Sequence, residues 1–243
     1  MSQPPKCALV TGGSGAIGAA ICRRLAAAGH RVYVHAHTHR EAAESVVREL
    51  TAQGLQAESL SFDVTDAAQV RQQLESLLER APIQILVNNA GVHEDAAFPA
   101  MRVEQWQRVL DVSLSGFFNV TQPLTLPMIR TRWGRIINIS SVAALMGNRG
   151  QVNYAAAKGA LNSATRALAL ELATRGITVN AVVPGLIDTS MTRDQFDAET
   201  IARLIPMKRA GLPEEVAALV AFLASEDAAY ITAQIISING GMT

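Results

Sequence analysis

Apolar residues recur in short continuous runs along the chain, and stretches with helical spacing separate these runs. In Ala16–Ala28, for example, Ile17, Ile21 and Leu25 repeat every four residues, and Gly29 ends the segment. Continuous apolar runs are typical of strands that are covered on both faces. The pattern therefore predicts strands and helices in alternation.

The alternation predicts an α/β fold with a doubly wound parallel sheet of about seven strands and helices on both faces. The predicted strands are Cys7–Val10, Arg31–Ala36, Leu55–Phe62, Ile83–Val87, Arg135–Ile139, Ile177–Val183 and Ile235–Ile238. The predicted helices are Ala16–Ala28, Arg40–Gln53, Asp66–Arg80, Glu104–Arg130, Tyr154–Arg175 and Pro213–Leu223. Pro123 and Pro127 are expected to kink or divide the longest of them.

No linker or shift in composition divides the chain, so residues 1–243 are expected to form a single domain. Hydrophobic residues make up 49% of the chain, which is enough for one sizeable core. A segment around residues 190–206 has an apolar side formed by Met191, Phe196, Ile201 and Leu204. We expect it to form a helical lid over a substrate.

Composition excludes several classes of function. Basic and acidic residues number 21 each, so the chain has no overall field for nucleic acid, although a local basic patch could still meet an acidic partner. Cys7 and Cys22 are interpreted as small buried thiols, and no Cys/His spacing indicates a metal site. The chain lacks a signal-peptide core and a membrane-spanning run, so we expect a soluble cytoplasmic protein.

A glycine-rich loop, Thr11–Gly18, follows the first predicted strand and opens the first helix. Glycines allow a tight turn and a close approach of the backbone to a pyrophosphate, and the helix N-terminus adds free N–H groups. A plain turn is the alternative. In its strand–loop–helix context the motif predicts nucleotide binding on a Rossmann-type fold.

The end of the second strand indicates which nucleotide is bound. An acidic residue there would accept hydrogen bonds from a ribose 2′-hydroxyl, but the segment 35–40 (HAHTHR) has no acid before Glu41. Thr38, Arg40 and a protonated histidine could hold a 2′-phosphate instead. NADPH is therefore favoured over NADH, with solvated loop residues as the alternative interpretation.

Tyr154 and Lys158 lie four residues apart at the start of a predicted helix, which places both side chains on one face. A nearby ammonium would lower the pKa of a tyrosine and make it an effective proton-transfer group. Ser141 follows the fifth strand, at the edge where parallel sheets place their ligands, and could bond a carbonyl oxygen. On their spacing alone, the tyrosine and the lysine could equally be two surface residues without a catalytic role.

Together these motifs resemble the short-chain dehydrogenase/reductase family over essentially the full chain. The matching pieces are Thr11–Gly18, Asp63-Val64, Asn88-Asn89-Ala90-Gly91, Ser141, Tyr154 with Lys158, and Pro184-Gly185 followed by Thr189. The resemblance implies that Asp63 bonds the adenine and that Ile187 and Thr189 hold the nicotinamide carboxamide. The full set of expected cofactor residues is Gly12, Ser14, Gly15, Ala16, Ile17, Gly18, Thr38, Arg40, Asp63, Val64, Asn89, Ala90, Gly91, Tyr154, Lys158, Pro184, Gly185, Ile187 and Thr189.

Within the family the chain is most similar to bacterial 3-oxoacyl-acyl-carrier-protein reductases, on residues 146–158, 175–180 and 239–242. This resemblance implies NADPH-dependent reduction of a carrier-bound 3-oxoacyl thioester, with Tyr154 as the acid, Ser141 orienting the ketone and Lys158 lowering the pKa of Tyr154. It also implies that an acidic carrier protein docks on Arg132 and Arg175 near the mouth of the active site. A homotetramer is expected by the same resemblance.

Three positions depart from the family pattern. Ala16 replaces a usual glycine, and Gly15 replaces a basic residue that often helps to hold the 2′-phosphate. Ser113 replaces the asparagine that completes a catalytic tetrad. Because that asparagine acts largely through its backbone carbonyl, our hypothesis is that Ser113 still serves the proton relay. Whether a serine preserves the same helix kink is left open by the sequence.

Two other functions remain open at this stage. The first is the same chemistry on another ketone, such as acetoacetyl-CoA, a polyketide or polyene intermediate, or its reversal on a secondary alcohol; His93 could contact an unusual acyl chain. The second is a non-catalytic partner subunit that binds nucleotide, which Ala16 and Ser113 keep open. The intact set of Ser141, Tyr154 and Lys158 argues against the second.

Overall fold

A computed structural model describes residues 5–189, 192 and 197–243. It confirms the predicted fold class: a seven-stranded parallel sheet in the order β3-β2-β1-β4-β5-β6-β7, with helices on both faces. The strands are β1 (Cys7–Val10), β2 (Arg31–Ala36), β3 (Ala57–Ser61), β4 (Ile83–Asn88), β5 (Gly134–Ile139), β6 (Ile177–Pro184) and β7 (Ile235–Ile238).

The helices cover the sheet in two layers. They are α1 (Ala16–Ala27), α2 (Arg40–Ala52), α3 (Ala67–Leu78), α4 (Val103–Leu110), α5 (Gly116–Thr131), α6 (Ala143–Met146), α7 (Val152–Leu172), α8 (Ala198–Leu204) and α9 (Pro213–Ala224). One core cluster holds apolar side chains of α1, α2 and α9, and the other holds those of α3, α5 and α7. Burying apolar surface on both faces explains why the strands are continuous apolar runs.

The long helical region before β5 is divided, but not where the prolines predicted. Pro123 and Pro127 both lie inside the continuous helix α5, while a wider, π-helical turn at Asp111–Ser115 separates α4 from α5. Burial of Val120 and Leu124 holds α5 against the sheet despite the hydrogen bonds that its prolines cannot make. The widened turn contains Ser113, so the helical region departs from regular α-helix at this substitution.

A buried chain of polar side chains fixes α7 to the centre of the sheet. The Asn88 amide donates to Asn138 Oδ1 (2.9 Å) and to Thr121 Oγ1 on α5 (3.0 Å). The Asn138 amide in turn donates to Thr165 Oγ1 on α7 (2.8 Å). Because unsatisfied buried polar groups are costly, these bonds hold β4, β5, α5 and α7 in one arrangement. The start of α7 is thereby positioned at the carboxyl edge of the sheet.

The predicted lid falls only partly within the described residues. Met191 and Phe196 lie outside them. Ile201 and Leu204 lie on the short helix α8, whose first turn is capped by the Asp197 side chain accepting from the Thr200 N–H (2.8 Å). A closing movement of this segment stays a prediction. No helix in the described part of the chain is long and apolar enough to cross a membrane.

Candidate active site

The glycine-rich loop turns tightly between β1 and α1. Gly12 has φ of +63°, a left-handed conformation that favours glycine, and its carbonyl accepts from the Gly15 N–H (3.1 Å). Gly15 then caps α1, whose first-turn N–H groups have no partner within the helix. These donors, at the positive end of the helix dipole, suit a pyrophosphate.

A hydrogen-bonded joint ties this loop to the end of β4. The Thr11 hydroxyl accepts from the N–H groups of Asn89 (3.0 Å) and Ala90 (3.1 Å). The Asn89 side-chain amide donates to the carbonyls of Thr11 and Gly12, both at 3.0 Å. Strands β1 and β4 are neighbours at the point where the strand order reverses, which is where such sheets bind ligands.

The two substitutions relative to the family pattern, Gly15 and Ala16, do not disrupt the turn of the glycine-rich loop. Ala16 is the first residue of α1 and is exposed, and Gly15 keeps its bond to the Gly12 carbonyl. The close approach lies instead at Gly18. A Cβ there would overlap the Gly12 carbonyl oxygen and lie 2.8 Å from the Gly13 Cα, whereas a Cβ at Gly15 would meet only the Gly12 oxygen at 3.5 Å.

The expected adenine end lies where β3 ends. One Asp63 carboxylate oxygen accepts from the Thr65 N–H (2.9 Å) and hydroxyl (2.8 Å), and the other lies 3.7 Å from His37 Nε2. Burial works against the charged form, but the Thr65 bonds and nearby histidines outweigh it, so the pKa of Asp63 is lowered. Val64 is buried and its carbonyl accepts from the Asn119 side chain (2.9 Å).

The segment expected to select the nucleotide lies at the start of α2. Thr38 and Arg40 are exposed there, and Arg40 pairs with Glu44 one turn later (3.0 Å). His35 is different, because its ring is buried between the phosphate loop and the end of β3. Burial lowers the pKa of His35 to about 4, so His35 is not the protonated histidine that could bind a 2′-phosphate.

The segment expected to hold the nicotinamide follows β6. The Pro184 carbonyl accepts from the Val142 N–H (2.9 Å), and Gly185 donates to the Ile238 carbonyl (3.0 Å). Ile187 is buried and pairs with Gly211, while Thr189 bonds Thr192 through both its N–H and its hydroxyl. The backbone of this segment is therefore held by β7 and by its own turn.

Ser141, Tyr154 and Lys158 meet at the carboxyl edge of β5. The Ser141 side chain lies close enough to Tyr154 to hydrogen-bond it, which favours the charged form of the tyrosine. Lys158 is buried, and its ammonium donates to the Ile139 carbonyl (2.8 Å) and lies 5.7 Å from the centre of the Tyr154 ring. Gly91 lies beside this ammonium: a Cβ added to Gly91 would lie 3.4 Å from the Lys158 nitrogen.

The charges of this group differ from the sequence-based expectation. Burial raises the pKa of Tyr154 to about 12, against a smaller lowering effect of the Ser141 hydrogen bond. Burial also lowers the pKa of Lys158 to about 8. The expected lowering of the Tyr154 pKa by Lys158 is therefore not present in this arrangement, since desolvation dominates. Tyr154 is a neutral phenol at neutral pH and holds a proton that it can donate.

Neighbouring side chains position the tyrosine, a role that the sequence did not predict for them. The buried Asn153 side chain donates to the carbonyls of Glu94 (2.9 Å) and Gln105 (3.2 Å), and its oxygen accepts from the Tyr154 N–H (2.8 Å). The His93 ring stacks on the Tyr154 ring with 4.2 Å between their centres. The adjacent Asn-Tyr pair was the only sequence signal for this role.

Ser113 lies beneath the site. It is buried, and within the described residues its hydroxyl has no hydrogen-bond partner. A small cavity with room for about one water molecule adjoins it, lined also by Thr11, Asn88 and Ala90. Ser113 thus adjoins the strand ends that carry the rest of the site.

Arg132 and Arg175 are brought close together, but away from this edge. Arg132 donates to the Thr174 carbonyl (3.3 Å), next to Arg175. Both arginines directly precede strands, β5 and β6, whereas Ser141 follows β5. They therefore lie at the amino edge, a strand length of about 20 Å from Ser141. A position near the active-site mouth of their own chain, as the sequence comparison implied, is wrong.

Gly18→Ala tests the loop geometry. Because the added methyl meets backbone atoms, we expect the melting temperature to fall by on the order of 5 °C and binding of the nicotinamide dinucleotide to be lost. Gly15→Ala is the matched control, and should keep both properties. Thermal unfolding and a fluorescence titration measure them, and equal behaviour of the two variants would contradict the described loop.

The surroundings do not resemble a metal centre: the described residues include no group of three or more His, Cys, Asp or Glu side chains placed to hold an ion. The chemistry of the site is that of a hydroxyl pair and a buried ammonium beside a phosphate-binding loop. Such a set can bind a nucleotide, orient a carbonyl or hydroxyl group and transfer one proton.

Comparison with known proteins agrees with this arrangement. The family model for short chain dehydrogenases matches residues 6–200. A 3-oxoacyl-[acyl-carrier-protein] reductase of Aggregatibacter actinomycetemcomitans is 47% identical, covering 96% of this chain and 98% of its own. A reductase of the same name from Synechocystis is 46% identical over 97% of this chain and 96% of its own, and one from Staphylococcus aureus is 43% identical over 98% of both. The chain belongs to the short-chain dehydrogenase/reductase family, and is an NAD(P)-dependent oxidoreductase.

Proposed function

We propose that this chain reduces 3-oxoacyl thioesters, carried by an acyl carrier protein, to 3-hydroxyacyl thioesters with NADPH as the reductant. The observation that supports this most is the meeting of Ser141, Tyr154 and Lys158 at the carboxyl edge beside the phosphate loop. The curated relatives, named as reductases of this class, support the choice of substrate.

The described residues fit a dinucleotide. The space at Gly18 that a Cβ would fill lies against the loop, and Asp63 and Val64 lie at the end of β3 for the adenine. Pro184, Gly185, Ile187 and Thr189 lie across the edge for the nicotinamide. Ser14, Ala16 and Ile17 would complete the contacts to the pyrophosphate, and Asn89, Ala90 and Gly91 would lie beneath the cofactor. When bound, the reduced cofactor would supply a hydride to the ketone carbon.

Ser141 and Tyr154 bind the ketone oxygen of the substrate. Because the two side chains are close enough to hydrogen-bond each other, both hydroxyls can reach the same substrate oxygen, where an oxyanion develops during reduction. Tyr154 then transfers its phenolic proton to that oxygen, which becomes the hydroxyl of the product. Because the pKa of Tyr154 is raised to about 12, the phenol is fully protonated before each turnover.

Lys158 returns a proton to the tyrosinate. Its ammonium lies 5.7 Å from the Tyr154 ring centre, and its lowered pKa of about 8 makes it a better proton donor than an exposed lysine. A water held by the Ser113 backbone carbonyl would resupply Lys158. The widened turn at Ser113 supports this route.

NADPH is favoured over NADH by the start of α2. Thr38 and the Arg40 guanidinium are exposed there, and no carboxylate precedes Glu41 to repel a 2′-phosphate. The Arg40–Glu44 pair is on the surface, so Arg40 can exchange it for a phosphate at little cost.

Carrier docking involves a second copy of the chain in this proposal. Arg132 and Arg175 lie at the amino edge, so in a homotetramer they would serve the active-site mouth of a neighbouring copy. Positive charge there would speed the encounter with an acidic carrier. We place the reaction in the cytoplasm.

Tyr154→Phe tests the proton donor. It removes the phenolic hydroxyl but keeps the ring on His93, so we expect turnover of acetoacetyl-acyl carrier protein to fall by about 10²–10⁴-fold while NADPH still binds. Tyr230→Phe, at a fully exposed tyrosine, is the control and should match the wild type. Absorbance of NADPH follows turnover. Near-wild-type turnover in Tyr154→Phe refutes the assignment.

Ser113→Ala and Ser113→Asn test the relay. Both variants retain a backbone carbonyl at this position, and the Ser113 hydroxyl has no partner among the described residues. We therefore expect the turnover of Ser113→Ala to stay within about threefold of the wild type, without loss of thermal stability. If Ser113→Asn raises turnover by orders of magnitude, the serine impairs the relay and the hypothesis is wrong.

A further inference from the structure

His35 lies on β2, and its ring is buried between the phosphate loop and the end of β3. It is 1% exposed, and its ring stacks on Phe62 with 4.0 Å between the ring centres. Nδ1 lies 3.1 Å from the Gly12 nitrogen, and Nε2 lies 2.9 Å from the Phe62 carbonyl oxygen. Both ring nitrogens are therefore engaged.

The partners define the proton positions on the ring. A backbone N–H can only donate, so Nδ1 is the unprotonated acceptor of the Gly12 bond. The Phe62 carbonyl can only accept, so Nε2 carries the proton and donates to it. Burial keeps the ring neutral, as the lowered pKa of His35 indicates. His35 is thus held in one tautomer between two backbone groups.

These bonds continue through the phosphate loop. The His35 carbonyl accepts from the Gly13 N–H (2.7 Å), so one residue holds two successive N–H groups of the loop. The Gly12 carbonyl in turn accepts from Gly15, at the start of α1, and from the Asn89 side chain. On the Nε2 side of the ring, the bonded residue Phe62 directly precedes Asp63, the residue expected to contact the adenine.

We propose that His35 is a positioning residue for the dinucleotide, and that its Nδ1 acceptor holds the Gly12 turn in the form that presents the first N–H groups of α1 to the pyrophosphate. This inference rests on the proposed function. The bulk of the ring and its bond to Phe62 support β2 and β3, whereas the bond to Gly12 acts on cofactor affinity.

Two substitutions separate these contributions. An asparagine amide oxygen occupies nearly the place of Nδ1, so His35→Asn keeps an acceptor for Gly12 and loses the bond to Phe62. A glutamine amide nitrogen reaches the place of Nε2, so His35→Gln keeps a donor for Phe62 and leaves the Gly12 N–H without its acceptor. Each variant loses one buried hydrogen bond, which matches them as controls for stability.

The readouts are the dissociation constant for NADPH, the melting temperature, and kcat and KM with saturating cofactor. We expect His35→Asn to bind NADPH within about threefold of the wild type and His35→Gln to bind about tenfold more weakly. Both variants should melt at similar temperatures, and kcat with saturating NADPH should be unchanged. A purely structural role would instead lower affinity in proportion to stability.

Equal affinities in the two variants, or weaker binding by His35→Asn, would overturn the proposal. If the wild-type chain binds neither NADPH nor NADH, the proposed function itself fails and this role fails with it. Hydrogen exchange of the Gly12 backbone amide in the wild-type chain tests the same proposal without a substitution. Because the Gly12 bond and cofactor binding are linked, saturating NADP⁺ should slow exchange at the Gly12 N–H, and an unchanged rate would overturn the proposal.

Discussion

The joint between Thr11 and Asn89 is the constraint on which the rest of the site depends. It closes the gap between β1 and β4, where the helices change from one face of the sheet to the other, and uses four hydrogen bonds of 3.0–3.1 Å. The joint sets the position of Gly12, and Gly12 sets the start of α1. A Cβ at Gly18 would lie 2.9 Å from the Asn89 side chain, so the packing of the loop against Asn89 requires glycine at position 18.

Burial is the second physical factor, because it decides the protonation states of the site. Desolvation raises the pKa of Tyr154 to about 12 and lowers that of Lys158 to about 8. Both effects favour a neutral phenol and a lysine that gives up a proton readily, which suits reduction of a ketone. The polar chain from Asn88 through Asn138 to Thr165 fixes the helix that carries both groups.

Much of the fold could be predicted from the sequence. The alternation of apolar runs and helical spacing gave β1, β2 and β7 with their observed bounds, and the other strands to within two residues at either end. Local signals failed at Asp111–Ser115, since a π-helical turn is stabilised by packing rather than by residue type. Prolines were a misleading signal, because tertiary burial maintained α5 around them.

Site residues could be predicted where short sequence motifs define them. They could not be predicted where their role depends on contacts with residues distant in the chain. Ser141, Tyr154 and Lys158 could be named because their spacing and order carry the chemistry. The role of His35 could not, because its partners lie 23 and 27 residues away in the chain. The position of Arg132 and Arg175 was available in principle, since residues that precede parallel strands lie at the amino edge.

In the proposed reaction, a hydride is transferred to the C3 ketone carbon of a carrier-bound acyl thioester. The most direct measurement uses NADPH deuterated at nicotinamide C4, on the transferred face, with acetoacetyl-acyl carrier protein, and mass spectrometry of the product. The expected product is 3-hydroxybutyryl thioester with one deuterium, located on C3. A product without deuterium at C3, or NADPH binding with no product from this or any other ketone, would contradict it.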